Sequence, residues 1–382
     1  MIDRAGFLGG MTAAVAAPSV FNPPSYAQSI AIGVCVPQSG DARPLGDAIV
    51  RGVRAAVDDA NRQLVLTKYF SVRVFDDQNN AANGIVAAGF AIDDQTILAV
   101  IGHLSGYVTT SCVRTYAEAN MPLVVPVSTD DAITAGIYHN LVRLPTRDFD
   151  EGLIHARFIA KKYAPKSAHA LTQDGAYGPD VVNGYLGALN GLKIPAETTI
   201  FGIANPDYAG AADAVMKANP DHLLLAGNVA DMGPVLPLLR ERGFNGTISA
   251  SQGFFDGGLV TTYGAAAEGI VVSTSMPFLA IAPSAYRIVS DYQRQFGAFL
   301  PPTAFAYAAA QIIIATVQRT GATARNTMLR GLAAGQEVNT VVGPFRFSPT
   351  GDPIDPELYF YTVRERKFAY LQQAHPSGFL SK

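Results

Sequence analysis

The strongest constraint on this chain is its cadence: short apolar runs alternate with longer amphipathic stretches, and the series runs through twice. Ile30–Val36 is an apolar run closed by Pro37 and Gly40, as a buried strand would be. From Asp47 to Gln63, the residues Ile49, Val53, Ala56, Val57 and Ala60 recur at helical spacing. Phe70–Phe75 alternates like a strand, and Ala81–Asp94 carries Ile85, Val86, Gly89 and Ile92 on one side, like a helix. Strand-like Ile97–Ile101 and a helix over Thr109–Asn120 follow, and Leu123–Val125 closes the first series. Beyond Pro145 the pattern restarts, with helices predicted at Phe149–Tyr163, Pro179–Asn190, Tyr208–Ala218 and Met232–Arg242. Strands are predicted at Ala168–Thr172, Glu197–Phe201, His222–Leu225 and Thr247–Ala250.

Strands separated by helices of this length pair in parallel through right-handed crossovers, which makes a doubly wound sheet. Two such series predict an α/β protein of two doubly wound parallel-sheet lobes. A chain of 382 residues, 49% hydrophobic, exceeds what a single core usually holds. The remaining helices, Pro283–Phe299, Thr303–Thr320 and Ala324–Ala334, and the strand-like runs Leu358–Val363 and Phe368–Leu371 do not make a third domain. They complete the two lobes, which requires several chain crossings and hence a multi-strand hinge.

The formal net charge of −3 is small and the basic residues are scattered, so neither a nucleic-acid footprint nor a membrane-surface patch is present. At the N-terminus, Arg4 precedes a small-residue apolar run ending at Ala17, and a Pro/Ser/Asn-rich stretch ends in Ser25-Tyr26-Ala27. This fits a cleavable signal peptide over residues 1–27, with a disordered terminus as the alternative. The apolar run is too short to span a bilayer. Export permits a disulfide between Cys35 and Cys112, but two buried free thiols is the preferred reading.

In open α/β sheets, ligands bind beyond the carboxyl ends of the strands. Three loops of the first half qualify: Pro37–Gly40, His103–Tyr107 and Val127–Asp131. Hydroxyls beside free amides at a helix start form a cradle for a carboxylate, although Ser105, Ser128 and Thr129 also suit plain helix capping. Asp130 and Asp131 either supply negative charge to a ligand or, in the preferred reading, favour the positive end of the next helix. His103 reads as a satisfied structural histidine, and Asp76-Asp77 as a strand end and helix cap. The histidines are dispersed, and the chain has no metalloprotease, CxxC, nucleophile-elbow or phosphate-loop motif. An enzyme, a metal site and a cofactor are therefore not expected.

The segment Ile30–Gly40 resembles the opening of the periplasmic Leu/Ile/Val-binding proteins, as do Phe75-Asp76-Asp77, Val100–Ser105 and Val125–Thr129. Further matches follow in the family's order: Tyr177-Gly178, Gly227-Asn228, Ala267-Glu268-Gly269, Tyr307-Ala308-Ala309 and Val342-Gly343-Pro344. The resemblance implies a type I periplasmic-binding fold. Lobe 1 would hold residues 28–145 and 276–345, and lobe 2 residues 146–275 and 346–382. It also implies a monomeric, periplasmic solute-binding protein that feeds an ABC permease of the inner membrane.

Carried over residue by residue, the resemblance points to Ser105, Gly106, Tyr107, the Val127 backbone, Ser128 and Thr129 on lobe 1. On lobe 2 it points to Tyr177, Asn228 and Gln252. Two departures bear on the ligand. Gln252 stands where relatives that bind aliphatic amino acids place a glutamate against the ammonium, and Gly106 stands where a second serine is usual. An amino acid, an aromatic acid or an amide is the expected ligand class. The rival reading is a ligand-sensing receptor or regulator module of the same fold.

Overall fold

The computed structural model describes residues 28–62, 68–136, 138–175, 177–277, 283–297 and 301–374. The leader expected over residues 1–27 lies outside them. In the first sheet, β1 (Gln28–Val36) lies between β2 (Lys68–Asp76) and β3 (Ile97–Gly102). Beyond β3 come β4 (Leu123–Val125) and β5 (Leu141–Arg143), and all neighbours are parallel.

Side chains alternate across β1. Ile30, Ile32, Val34 and Val36 enter a core shared with α1 (Arg43–Asn61) and α11 (Pro301–Thr320), whereas Ala31 and Cys35 enter a second core. That second core is shared with α2 (Ala81–Asp93) and α3 (Gly106–Glu118). Covered on both faces, the strands read as continuous apolar runs. Both cysteines lie buried in this second core as free thiols, and burial pushes each up to about 12. Asn80 starts α2 by accepting N–H bonds from Ala82 at 3.0 Å and Asn83 at 3.2 Å, so the cap expected at Asp76-Asp77 falls on the asparagine.

The second sheet has five parallel strands: β6 (Ala168–Gln173), β7 (Ala196–Phe201), β8 (His222–Ala226), β9 (Thr247–Ala250) and β10 (Val271–Thr274). At the edge next to β10, β13 (Leu358–Arg364) and β14 (Lys367–Ala374) add two antiparallel strands. One face carries α4 (Asp148–Tyr163) and α5 (Tyr177–Gly191). The other carries α6 (Tyr208–Ala218), α7 (Val229–Met232), α8 (Val235–Glu241) and α9 (Gly257–Thr262).

Helices α4 and α5 approach closely through glycines. A Cβ on Gly152 would lie 1.9 Å from the Val181 carbonyl oxygen, and one on Gly184 would lie 2.0 Å from that of Phe149. The helix expected over Met232–Arg242 is instead two, α7 and α8, because Pro234 lacks the N–H that would continue the first. Strands β5 and β10 follow each series as a further parallel strand; the sequence reading stopped one strand short in both halves.

The chain passes between the sheets three times. Residues 144–147 lead from β5 to α4. After β10 the chain returns to α10 (Pro283–Phe296), α11 and α12 (Arg325–Ala333), and a hairpin of β11 (Val338–Thr340) and β12 (Gly343–Phe345) sits beside α11. Residues 346–357 then lead to β13. The first two crossings touch where the Thr146 N–H donates to Ser275 Oγ at 3.2 Å. The third lies on β5, where Gly351 accepts from the Arg143 N–H at 2.8 Å. No helix among the described residues is long and apolar enough to cross a membrane.

Candidate functional site

Between the two sheets, at the carboxyl ends of their strands, lies a cavity of about 680 Å³. Loops after β3 and β4 form one wall, and loops after β6, β8 and β9 form the other. All nine residues singled out from the sequence line it: Ser105, Gly106, Tyr107, Val127, Ser128, Thr129, Tyr177, Asn228 and Gln252.

On the first wall Ser105 precedes α3 without capping it, so the opening N–H groups of the helix stay uncapped at the cavity. The Ser105 hydroxyl donates instead to Asn79 Oδ1, and the Tyr107 hydroxyl to the Asn79 carbonyl. Tyr107 is half exposed at the rim. Gly106 is required by close approach, since a Cβ there would lie 2.6 Å from the Asp130 Cβ. Ser128 is buried, with its Oγ 3.2 Å from the His103 carbonyl oxygen, 3.1 Å from that of Leu104 and 2.9 Å from Thr109 Oγ1. It joins the loops after β3 and β4 to each other. Thr129 bonds the Asp148 carboxyl through its side chain and accepts the Asp148 N–H at 3.1 Å. Capping therefore describes none of the three hydroxyls fully, and only Ser105 occupies a cap position.

These loops are held from behind. Arg143, fully buried, donates from Nη1 to the carbonyls of Thr129 at 2.8 Å and Asp130 at 2.6 Å. Its Nε and Nη2 reach Asp352 Oδ1 at 3.0 and 2.6 Å. Asp130 accepts the Ala132 N–H at 2.8 Å, and Asp131 accepts the Phe149 N–H at 2.9 Å in the first turn of α4. His103 is fully buried between Asp77 Oδ2, 2.7 Å from Nδ1, and the Tyr116 hydroxyl, 3.2 Å from Nε2. That is a satisfied structural histidine.

The second wall is organised by a residue outside the sequence-derived set. Glu151, on α4 and fully buried, accepts the Gln252 N–H at 2.7 Å and the Ser273 hydroxyl at 2.7 Å on Oε1. Its Oε2 accepts Gln252 Nε2 at 2.9 Å and the Tyr177 hydroxyl at 3.2 Å. The Tyr177 oxygen in turn accepts the Gly253 N–H at 3.2 Å. Burial raises Glu151 to about 7 despite its four donors. Behind it, Ser273 Oγ lies 3.1 Å from His155 Nδ1, and Ser249 Oγ lies between His155 Nε2 at 2.7 Å and His222 Nε2 at 2.8 Å. Burial lowers both imidazoles, His155 to about 3, so they are neutral donor–acceptor links. Asn228 stands exposed at the start of α7.

Among the described lining residues there is no Lys, Arg or His, whereas Asp130, Asp148, Asp231 and Asp256 are among them. Burial raises Asp148 well above the usual carboxylate range, and its Oδ1 is buried without a hydrogen-bond partner.

The sequence pattern of the family described as "Periplasmic binding protein" matches residues 29–367. The chain belongs to that family. A Leu/Ile/Val-binding protein of Rhizobium johnstonii is 24% identical over 349 residues, 90% of this chain and 93% of the relative. The structure of a leucine-binding protein of Thermotoga maritima superposes with a TM-score of 0.81 at 22% identity, over 91% of this chain and 99% of the other. A solute-binding protein of an ABC transporter from Rhodopseudomonas palustris, solved with 3,4-dihydroxybenzoic acid, gives 0.78 at 18% identity over 90% and 97%. At those identities the structures show the fold, a two-lobed type I periplasmic-binding fold.

In this periplasmic binding protein the residue that sequence reasoning missed had left a signal. At helical spacing Glu151 falls in line with Ile154, His155 and Phe158, all buried, so a carboxylate occupies the apolar face of α4. An acid in the first turn of a helix also suits the helix dipole, so the position alone does not single Glu151 out.

Proposed function

We propose that this chain is the extracytoplasmic solute-binding component of an ABC importer, without enzymatic activity of its own. It captures a small amino acid, or a related carboxylate or amide, in the interlobe cavity and closes over it. Lobe 1 would comprise residues 28–145 and 276–345, lobe 2 residues 146–275 and 346–382. It works as a periplasmic monomer, exported by the leader over residues 1–27, and presents its closed form to an inner-membrane permease.

One observation carries this reading: all nine residues projected from the family line a single cavity between the sheets. The uncapped start of α3 suits a ligand carboxylate, while Gln252 and Asn228 face it from the other side. Charge-assisted hydrogen bonds contribute about 1.5–3 kcal/mol each. Three or four of them, with burial, reach the roughly −8 kcal/mol of micromolar binding after ordering costs. The ligands named for the relatives, branched-chain amino acids and a dihydroxybenzoic acid, mark the two classes to compare.

A thermal-shift screen over amino acids, aromatic acids and amides tests the proposal. A hit at 100 times its Kd adds about 2.7 kcal/mol of stability, and Thr129→Ala is expected to reduce that shift. No response to any of the three classes, together with turnover of one of them, would defeat the transport reading.

A further inference from the structure

Gln252 is uncharged where an amine-binding wall would carry a carboxylate, yet a carboxylate stands immediately behind it. We propose that Glu151 sets the ligand preference of the second lobe by orienting Gln252 and supplying the negative charge that Gln252 lacks. This deepens the solute-binding reading and rests on it. The substrate class it selects is a solute that presents N–H donors, an ammonium or an amide, to this wall.

The hydrogen-bond pattern carries the argument. A carboxylate only accepts, and both oxygens of Glu151 are met by donors: two N–H groups of Gln252 and the hydroxyls of Tyr177 and Ser273. A proton on Glu151 would have to turn one of the two hydroxyls around to accept it, so the full set of four incoming donors belongs to the ionised form. The bond from Nε2 also fixes which way the Gln252 amide points. One of the two N–H groups on its nitrogen is committed to Glu151, and its carbonyl oxygen, with Ser275 Oγ 3.4 Å away, is the end placed to accept from a ligand. Tyr177 is fixed by the same carboxylate, so its ring rather than its hydroxyl serves the cavity.

Among the described residues no cation neutralises Glu151. The titratable groups facing it are Asp148 and His155 from α4 and Tyr177 from α5. β10 and the loop after β9 offer the neutral Ser273 and Gln252. An uncompensated charge beneath a half-buried amide polarises it toward an incoming cation.

The test uses calorimetry with L-leucine and 4-methylpentanoate, the same carbon skeleton without its amine. Wild type is expected to prefer leucine. Glu151→Gln is expected to lose about tenfold or more in leucine affinity with little change for 4-methylpentanoate. The reciprocal variant Glu151→Gln/Gln252→Glu, which moves the charge into the wall, is expected to recover leucine binding. Leucine affinity in wild type should also fall as pH drops through neutrality, and this dependence should vanish in Glu151→Gln. Equal losses for both ligands, or no loss, would overturn the assignment. If wild type binds neither probe, the choice of ligand for the cavity fails, and Glu151 is judged on the protein alone. The Gln252 side-chain amide resonances should then shift through neutral pH in wild type and stay fixed in Glu151→Gln; a wild-type amide that does not respond overturns the proposal.

Discussion

Two buried charges do most of the organising around the cavity, and they behave differently. Arg143 is surrounded by acceptors, two loop carbonyls and Asp352, so truncation leaves all of them unsatisfied in a dry setting. Removing one partner of such a pair costs about 3–5 kcal/mol. Arg143→Ala is therefore expected to lower unfolding free energy by that order in urea titrations. Glu151 has the opposite character, because it is a charge without a counter-charge. Its folded pKa of about 7 lies above the ordinary 4.5, so the native state holds an extra proton between those values. Its contribution to stability is then full below the lower value and lost as pH rises to the upper one. The neutral glutamine of Glu151→Gln has no such loss. The stability difference between variant and wild type, measured in urea across that window, is expected to move in favour of the variant as pH rises. A difference that moves the other way would show that Glu151 is stabilised as the anion.

At the scale of elements, the α4–α5 pair fixes the second wall, since α4 brings Glu151 and α5 brings Tyr177. Gly152→Val would drive a side chain into the Val181 carbonyl, 1.9 Å from where its Cβ would stand. Overpacking of this kind costs about 1–3 kcal/mol, and here it is also expected to weaken ligand binding by parting Glu151 from Tyr177. A thermal melt and a ligand titration on the same variant check both effects. This scale also shows what the sequence made legible. The long helices and the apolar strands of both series were readable because period and length agree, but the buried face of α2 was not: it packs Gly84, Ala87, Ala88 and Ala91 inward and leaves Ile85 and Val86 exposed. The short strands β5 and β10 were not readable, although β4 and β9 are equally short: strands of three or four residues carry no period, and the cadence that marked β4 and β9 had no counterpart at the end of each series. The loops that line the cavity were readable as strand-to-helix turns. Glu151 was not, because a carboxylate in a helix's first turn looks the same in solvent as in a core. The roles of Ser105 and Ser128 were hidden for a related reason: their partners, Asn79 and the carbonyls of His103 and Leu104, come from separate loops.

At the scale of the whole molecule, each sheet is completed by chain from beyond the other. The parallel strands of the first sheet end at Arg143, yet one of its faces is covered by α11, which begins at Pro301. In between lie all five parallel strands of the second sheet, and that sheet takes its last two strands from Leu358–Ala374. Three crossings tie the lobes along one edge, so rotation about that edge is the motion the architecture leaves open. The same interleaving governs the order in which the molecule can be made. Domains usually fold as they leave the ribosome, N-terminal part first. Here the seam of Ile32, Val34 and Val36 gains α1 early, but its other partner, α11, comes only after more than three quarters of the chain has been synthesised, so the first half to emerge is the one that must wait longest before its core can close.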